Sequence, residues 1–284
     1  MKKYELIPSD NEGLYRVKAL CDFADVKKGD VGGYIESERN LSHYGNAWVY
    51  SDARVYGDAC VSGNACVFGD AEVYGKASVF GNARVSDDAW VYGDARVYGD
   101  ACVSGNAQVY DDAQVFGDTR VSGFARVSAS AKVSGDSQVY GDAQVFGVAQ
   151  VSGDSRVYGN AQVSGDARVY GDARVAGYAQ VYGDAQVFGN ARVFGNAKVS
   201  RNAQVTSSKD YIVFKNWWSS GRFFTWTRSN DMWSVGCFYG TGRQLIEKAY
   251  KDSELSGREY ARIVEYVDNI KEYLNNSKVN QSNK

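Results

Sequence analysis

The sequence predicts a parallel β-solenoid, and three observations predict it. Valine recurs at every sixth position from Val49 to Val205, 27 hexads without a slip, as in Gly93-Asp94-Ala95-Arg96-Val97-Tyr98. Within each hexad the order Ala-x-Val places two compact apolar side chains on one side of an extended backbone, the period of two that marks a strand. The corner residues are Gly at 22 of 27 hexads and Asn or Asp at 22 of 27, types that tolerate the positive φ of a tight turn.

A strict hexad period signals stacked coils and outranks any element-by-element reading. Three hexads close an 18-residue triangular coil, so the repeat gives nine coils and a prism about 43 Å long. Ahead of it, residues 1–45 hold two strand-like runs, Tyr4 to Ile7 and Leu14 to Leu20, then a Gly-rich approach. An open solenoid end exposes unpaired backbone, so this segment is expected to be an N-terminal cap. Residues 46–206 form the prism, and Ser207 to Asp210 reads as a linker.

Residues 207–274 are expected to form a small α+β domain. Three aromatic strands, Tyr211 to Phe214, Arg222 to Thr227 and Met232 to Phe238, precede helices from Gln244 to Tyr250 and from Arg258 to about Leu274. In the second helix Tyr260, Ile263, Val264, Val267, Ile270 and Leu274 make one apolar stripe, and Ser256 with Glu259 fits a capping box at its start. The polar residues 275–284 predict a disordered tail.

The hexads resemble the left-handed parallel β-helix of hexapeptide-repeat proteins. The segment Cys21 to Asp30, followed by Gly32-Gly33-Tyr34-Ile35 and running into Asn40-Leu41-Ser42, resembles the N-terminal signature of the YdcK-like family of bacteria and phages. The resemblance covers about residues 15 to 206. It implies left-handed winding, which the general rule for parallel crossovers does not, and a trimer by family analogy. It also brings an acyltransferase-like activity into question, along with self-assembly into polymers.

Composition narrows the function. No apolar run approaches the roughly 18 residues of a membrane span and no export signal follows Met1, so a cytoplasmic chain away from membranes is expected. Five cysteines with no Cys-x-x-Cys pair fit a reducing compartment. Cys66 and Cys102 share a face but lie about 10 Å apart, too far for a disulfide. The prism carries 13 basic and 17 acidic residues and the C-terminal region 12 and 9, so no basic stripe marks a nucleic-acid binder. With one histidine, His43, no metal site and no cofactor are expected. His43 stands six residues before Val49, where an inward Val would sit, and reads as a capping residue rather than the base of an acyltransferase.

Three rows of the prism depart from plain repetition. Asp100, Asp118, Asp136, Asp154 and Asp172 stack in successive coils beside Arg120, Gln138, Arg156 and Arg174, which reads as mutual neutralisation or a track for a charged ligand. Thr119, Ser137 and Ser155 replace the inward Ala in three consecutive coils and are expected to form a buried hydroxyl ladder with shared hydrogen bonds. Tyr56, Tyr74, Tyr92 and Tyr110 stack beside Trp90 and make an alternative interaction surface, and Phe124, Val148 and Tyr178 add exposed apolar points at corners.

The C-terminal domain holds more aromatics than a small core needs. Trp217, Trp218, Trp226 and Trp233, interspersed with Arg222, Arg228 and Arg243, are the candidate binding residues. Cys237 lacks a nearby histidine and is expected to be a buried strand cysteine, and no catalytic residue is assigned. Gly240-Thr241-Gly242 before a helix offers a weak anion-binding motif. The sequence therefore predicts a non-enzymatic binding or structural scaffold, whose rigid β-helix supports a C-terminal recognition domain for an unidentified protein or small ligand.

Overall fold

Each Ala-x-Val triplet turns its Ala and Val inward, and every such Val from Val49 to Val205 is fully buried. In a computed structural model, which describes residues 2–282 and the side chains of the last helix as far as Tyr273, the triplets build three parallel sheets. Partners lie 18 residues apart throughout, as in Arg84 with Cys102 and Val85 with Val103. The first face carries Arg54, Glu72, Trp90, Gln108, Arg126, Gln144, Gln162, Gln180 and Lys198 outward. The second face begins at Trp48 and the third at Cys60. Both are nine-stranded, and the first joins three N-terminal strands in a twelve-stranded sheet.

Those strands are β1 (Tyr4–Pro8), β2 (Tyr15–Ala19) and β3 (Val31–Ile35). The Gly-rich approach is thus itself a strand. It pairs in parallel with Arg54–Val55, setting Ile35 beside Val55, while Leu41 bridges Val61. Ile35 and Leu41, both fully buried, belong to a partial tenth turn displaced by two residues from the hexad register. Val49 follows Leu41 at the eighth position instead of the sixth, and the two extra residues carry His43 out of the inward position into the connecting turn. Gly32 and Gly33 let β3 lie on the first coil: a Cβ at Gly32 would sit 2.3 Å from the Val49 carbonyl oxygen, and one at Gly33 2.6 Å from that of Ala53. That Gly-Gly pair is a close-approach device.

The two ends of the prism present opposite problems. Carbonyls of the first coil point away from their neighbour and find donors in the cap. The Lys3 ammonium donates to the carbonyls of Ala47 (2.7 Å) and Gly45 (3.3 Å), and the Asn40 amide donates to those of Gly57 and Ala59, both 2.9 Å. At the far end, N–H groups lack a following coil and find hydroxyl oxygens instead. Lys198 N–H donates to Thr225 Oγ1 (2.8 Å), Gln204 N–H to Ser229 Oγ (2.7 Å) and Phe194 N–H to Tyr211 Oη (3.1 Å). The Tyr211 hydroxyl donates in turn to the Arg192 carbonyl at 2.9 Å. The C-terminal domain is therefore the second cap.

That domain is an antiparallel sheet of Tyr211–Lys215, Phe223–Thr227, Met232–Val235 and Phe238–Gly240, followed by α1 (Gly242–Asp252) and α2 (Glu254–Ser282). The third expected strand is two, split by a turn at Gly236-Cys237 with φ +57° at Gly236. The linker is an ordered turn, because the Asp210 carboxylate accepts hydrogen bonds from the N–H groups of Thr206 and Ser207 and from the Thr206 hydroxyl. Helix α2 starts before the expected capping box. Ser253 precedes it and accepts from Ser256 N–H at 3.1 Å, while Ser256 lies inside the first turns. No Gly or Pro interrupts residues 275–282, so the helix continues where a disordered tail was expected. Asn283 and Lys284, and the side chain of Leu274, lie outside the described residues. No helix among the described residues is long and apolar enough to cross a membrane.

Candidate binding cleft and groove

The candidate tryptophans divide into core and surface. Trp226 and Trp233 are buried with Phe224, Leu245 and Val267, and the Trp226 indole N–H donates to Asp231 at 2.8 Å. They hold sheet to helices and line no cleft. Trp218 is half-buried, edge-on to the Tyr260 ring at 4.9 Å, whereas Trp217 is 73% exposed. Arg243 reaches along α1 to Glu247, and Arg228 is half-buried near the linker turn. Of the seven candidates, Arg222 alone lines the cleft of about 540 Å³ between the sheet, α1 and α2.

Backbone geometry shapes that cleft. The Gly236-Cys237 turn forms one lip, and Arg222 Nη1 would lie 3.3 Å from a Cβ at Gly236, so the guanidinium lies against the turn. Lys248 and Asp252 on α1 face it, with Tyr260 on α2 behind. The Asn216 amide donates to the Tyr260 hydroxyl at 3.1 Å, and burial raises that phenol above its ordinary pKa. Cys237 is exposed on the lip rather than buried in a strand, because the turn lifts it out of the sheet. At the weak anion-binding motif the helix is capped by its own side chains: Thr241 Oγ1 accepts from Gln244 N–H, and Gln244 Oε1 accepts from Thr241 N–H at 2.9 Å. That reciprocal box was legible in the spacing Thr241 to Gln244.

On the prism, Tyr56, Tyr74, Tyr92 and Tyr110 stack in parallel at 4.9 to 5.1 Å. Phe80, Tyr98 and Phe116 do the same on the third face, as do Tyr140 with Tyr158 on the second. The position immediately after Val thus supports stacking on every face, which makes it a device of the corner. Trp90 lies in the adjacent outward row of the first face and is 42% exposed.

The buried hydroxyls do not bond to one another. Thr119 Oγ1 donates to the Phe116 carbonyl (2.8 Å), Ser137 Oγ to that of Ser134 (2.8 Å) and Ser155 Oγ to that of Val169 (3.5 Å), because backbone acceptors lie nearer than the next coil's hydroxyl. Nor does an ion pair join the Asp ladder to the Arg row among the described residues. The carboxyls of Asp118 and Asp154 flank Asp136 and raise its pKa above the ordinary carboxylate value. His43 stacks on Tyr4 with ring centroids 4.2 Å apart, its Nδ1 accepts from Lys3 N–H at 3.3 Å, and its Nε2 lies 3.5 Å from the Glu38 carboxylate.

Comparison with known proteins follows this architecture. No curated protein matches the chain. The family model described as YdcK Beta solenoid repeat matches residues 77–93, 89–105, 95–111, 149–165, 161–177, 167–183 and 185–201. These segments fall on the parallel strands and glycine corners of the prism, whose repeats there are similar to the YdcK β-solenoid repeat.

Proposed function

We propose that this chain is a non-enzymatic binding scaffold: a rigid, left-handed solenoid of phage-related type, acting in the cytoplasm, that holds a C-terminal recognition domain. The observation that carries this reading is the cleft beside Arg222, in a domain whose hydroxyls accept hydrogen bonds from three backbone N–H groups at the end of the prism. Two capped ends support a discrete rod rather than a filament grown by end-to-end stacking. The place of His43 in the N-terminal cap, stacked on Tyr4 at the opposite end of the chain from the cleft, supports a structural role for the one histidine.

The test compares what the full chain, Arg222→Glu/Lys248→Glu and Tyr74→Ser/Tyr92→Ser each retain from fractionated lysate. The expected result is a ligand held by the wild type and the tyrosine variant and lost by the charge-reversed cleft. Loss in the tyrosine variant with retention in the cleft variant would move recognition to the prism, and acyl-CoA turnover abolished by His43→Gln would overturn the non-enzymatic reading.

A further inference from the structure

The first face of the prism carries depressions that share their walls. One of about 480 Å³ runs from Arg54 past Trp90 to Phe124 and Arg126, and one of about 460 Å³ runs from Phe124 and Arg126 to Tyr178 and Gln180. A third, about 240 Å³, runs from Tyr178 and Gln180 to Arg222 and Gly236, which also line the C-terminal cleft. They are segments of one groove. From Arg54 to Lys198 it crosses eight coil steps, about 38 Å.

We infer that this groove binds an extended, uncharged polysaccharide strand, laid along the prism with one end at the Arg222 cleft. The inference rests on the binding-scaffold reading and assigns its ligand class. Charge argues first: among the lining residues Asp70, Glu72, Asp88 and Asp142 balance Arg54, Arg126, Lys198 and Arg222, four of each sign, and Arg54 is already paired with Glu72 at 3.0 Å. A single-stranded nucleic acid needs a positive channel, which this balance does not supply.

The chemistry of the lining argues second. Gln108, Gln144, Gln162 and Gln180 offer a donor and an acceptor each, and among the described residues no side-chain hydrogen bond engages these amides. Amides of this kind match sugar hydroxyls, which also both donate and accept. Trp90, Phe124 and Tyr178 stand 42%, 62% and 64% exposed in the same groove, flat apolar surfaces suited to the C–H faces of pyranose rings. Phe124 and Tyr178 occupy corner positions that are Asn or Asp in most hexads, so the aromatic surface departs from what the repeat itself requires.

Spacing argues third. Coils recur every ~4.8 Å, close to the advance of one sugar in an extended chain, so successive sugars meet successive coils in similar registry. An extended peptide advances about 3.3 Å per residue and drifts out of step with the coils.

The test titrates the full chain with immobilised and free cello-, chito-, malto- and xylo-oligosaccharides of two to eight units. Affinity for at least one series is expected to rise with length through six units and to be insensitive to salt, with Phe124→Ala/Tyr178→Ala weakening it more than tenfold. Gln144→Glu/Gln162→Glu provides a second variant with the stacked corners intact and is expected to weaken binding as well. Melting curves verify that both variants are folded. Binding of none of the four series, binding unaffected in both variants, or salt-sensitive binding of poly(dT) in their place overturns the inference. Loss of a lysate ligand in Arg222→Glu/Lys248→Glu with retention in Phe124→Ala/Tyr178→Ala would overturn the glycan assignment and leave the scaffold reading standing.

Discussion

Ser51, Asp87, Asp111, Ala129 and Arg201 occupy the five repeat corners that lack glycine, and all five keep φ between 53° and 60°. The coil imposes the left-handed conformation whatever residue stands there. Asp87 and Asp111 recover part of the cost by accepting hydrogen bonds from the next coil: Gly105 N–H donates to Asp87 Oδ2 at 2.9 Å and Ala129 N–H to Asp111 Oδ2 at 3.1 Å. Ala129 has no such side chain. A non-glycine residue in this region costs roughly 1–2 kcal/mol, and the greater freedom of glycine in the unfolded chain returns about 0.5–1 of it. Ala129→Gly is therefore expected to stabilise the protein by up to about 1 kcal/mol, read as a higher midpoint in urea with an unchanged slope. A lower midpoint would show that the corner carries no strain.

At the scale of the element, the caps explain a pH dependence. Lys3 is buried at the Ala47 and Gly45 carbonyls, and burial lowers its pKa from 10.5 to about 8. Between those values the unfolded chain binds more protons than the folded one, so stability rises with pH across that window. The neutral amine keeps N–H donors for the same carbonyls, so the cap survives deprotonation. Above pH 10 the trend reverses as buried phenols such as Tyr260, raised above their ordinary value, oppose ionisation in the fold. The thiols of Cys60 and Cys66, raised by burial, act in the opposite sense over the same range. From pH 7.5 to 9.5 the urea midpoint of the wild type is therefore expected to rise relative to that of Lys3→Met, and parallel pH profiles for the two would contradict the assignment.

At the scale of the molecule, the prism is a stack in which each coil satisfies the next, so stability is decided at its ends. The C-terminal domain supplies acceptors to Lys198, Gln204 and Phe194, and Arg201 lies over the Tyr239 ring at 4.6 Å. Leaving a buried N–H without a partner costs about 1–3 kcal/mol. Deleting residues 207–284 is expected to expose the last coil to edge-to-edge pairing, seen as high-molecular-weight species in size-exclusion chromatography with β circular dichroism retained. A monomeric, cooperatively melting truncation would show that the domain is an appendage and the last coil closes itself.

Much of this protein was legible in the chain. Val49 to Val205 determined the sheets, the corner glycines the turns and the Ala positions the core, because a solenoid repeats one local problem and its contacts follow at a fixed separation of 18 residues. The ends carry no such period. The two-residue slip that puts Leu41 rather than His43 in the core and the split of the third aromatic strand at Gly236 depend on contacts with no constant spacing. The candidate site divides the same way. Arg222 was visible as a cation among aromatics, but Trp226 and Trp233 have the same composition signature as surface tryptophans, and only the packing of α1 and α2 over the sheet buried them. The joining of Trp90, Phe124, Tyr178 and Arg222 into one groove was likewise decided by tertiary structure, since it requires the C-terminal domain to meet the first face at Lys198.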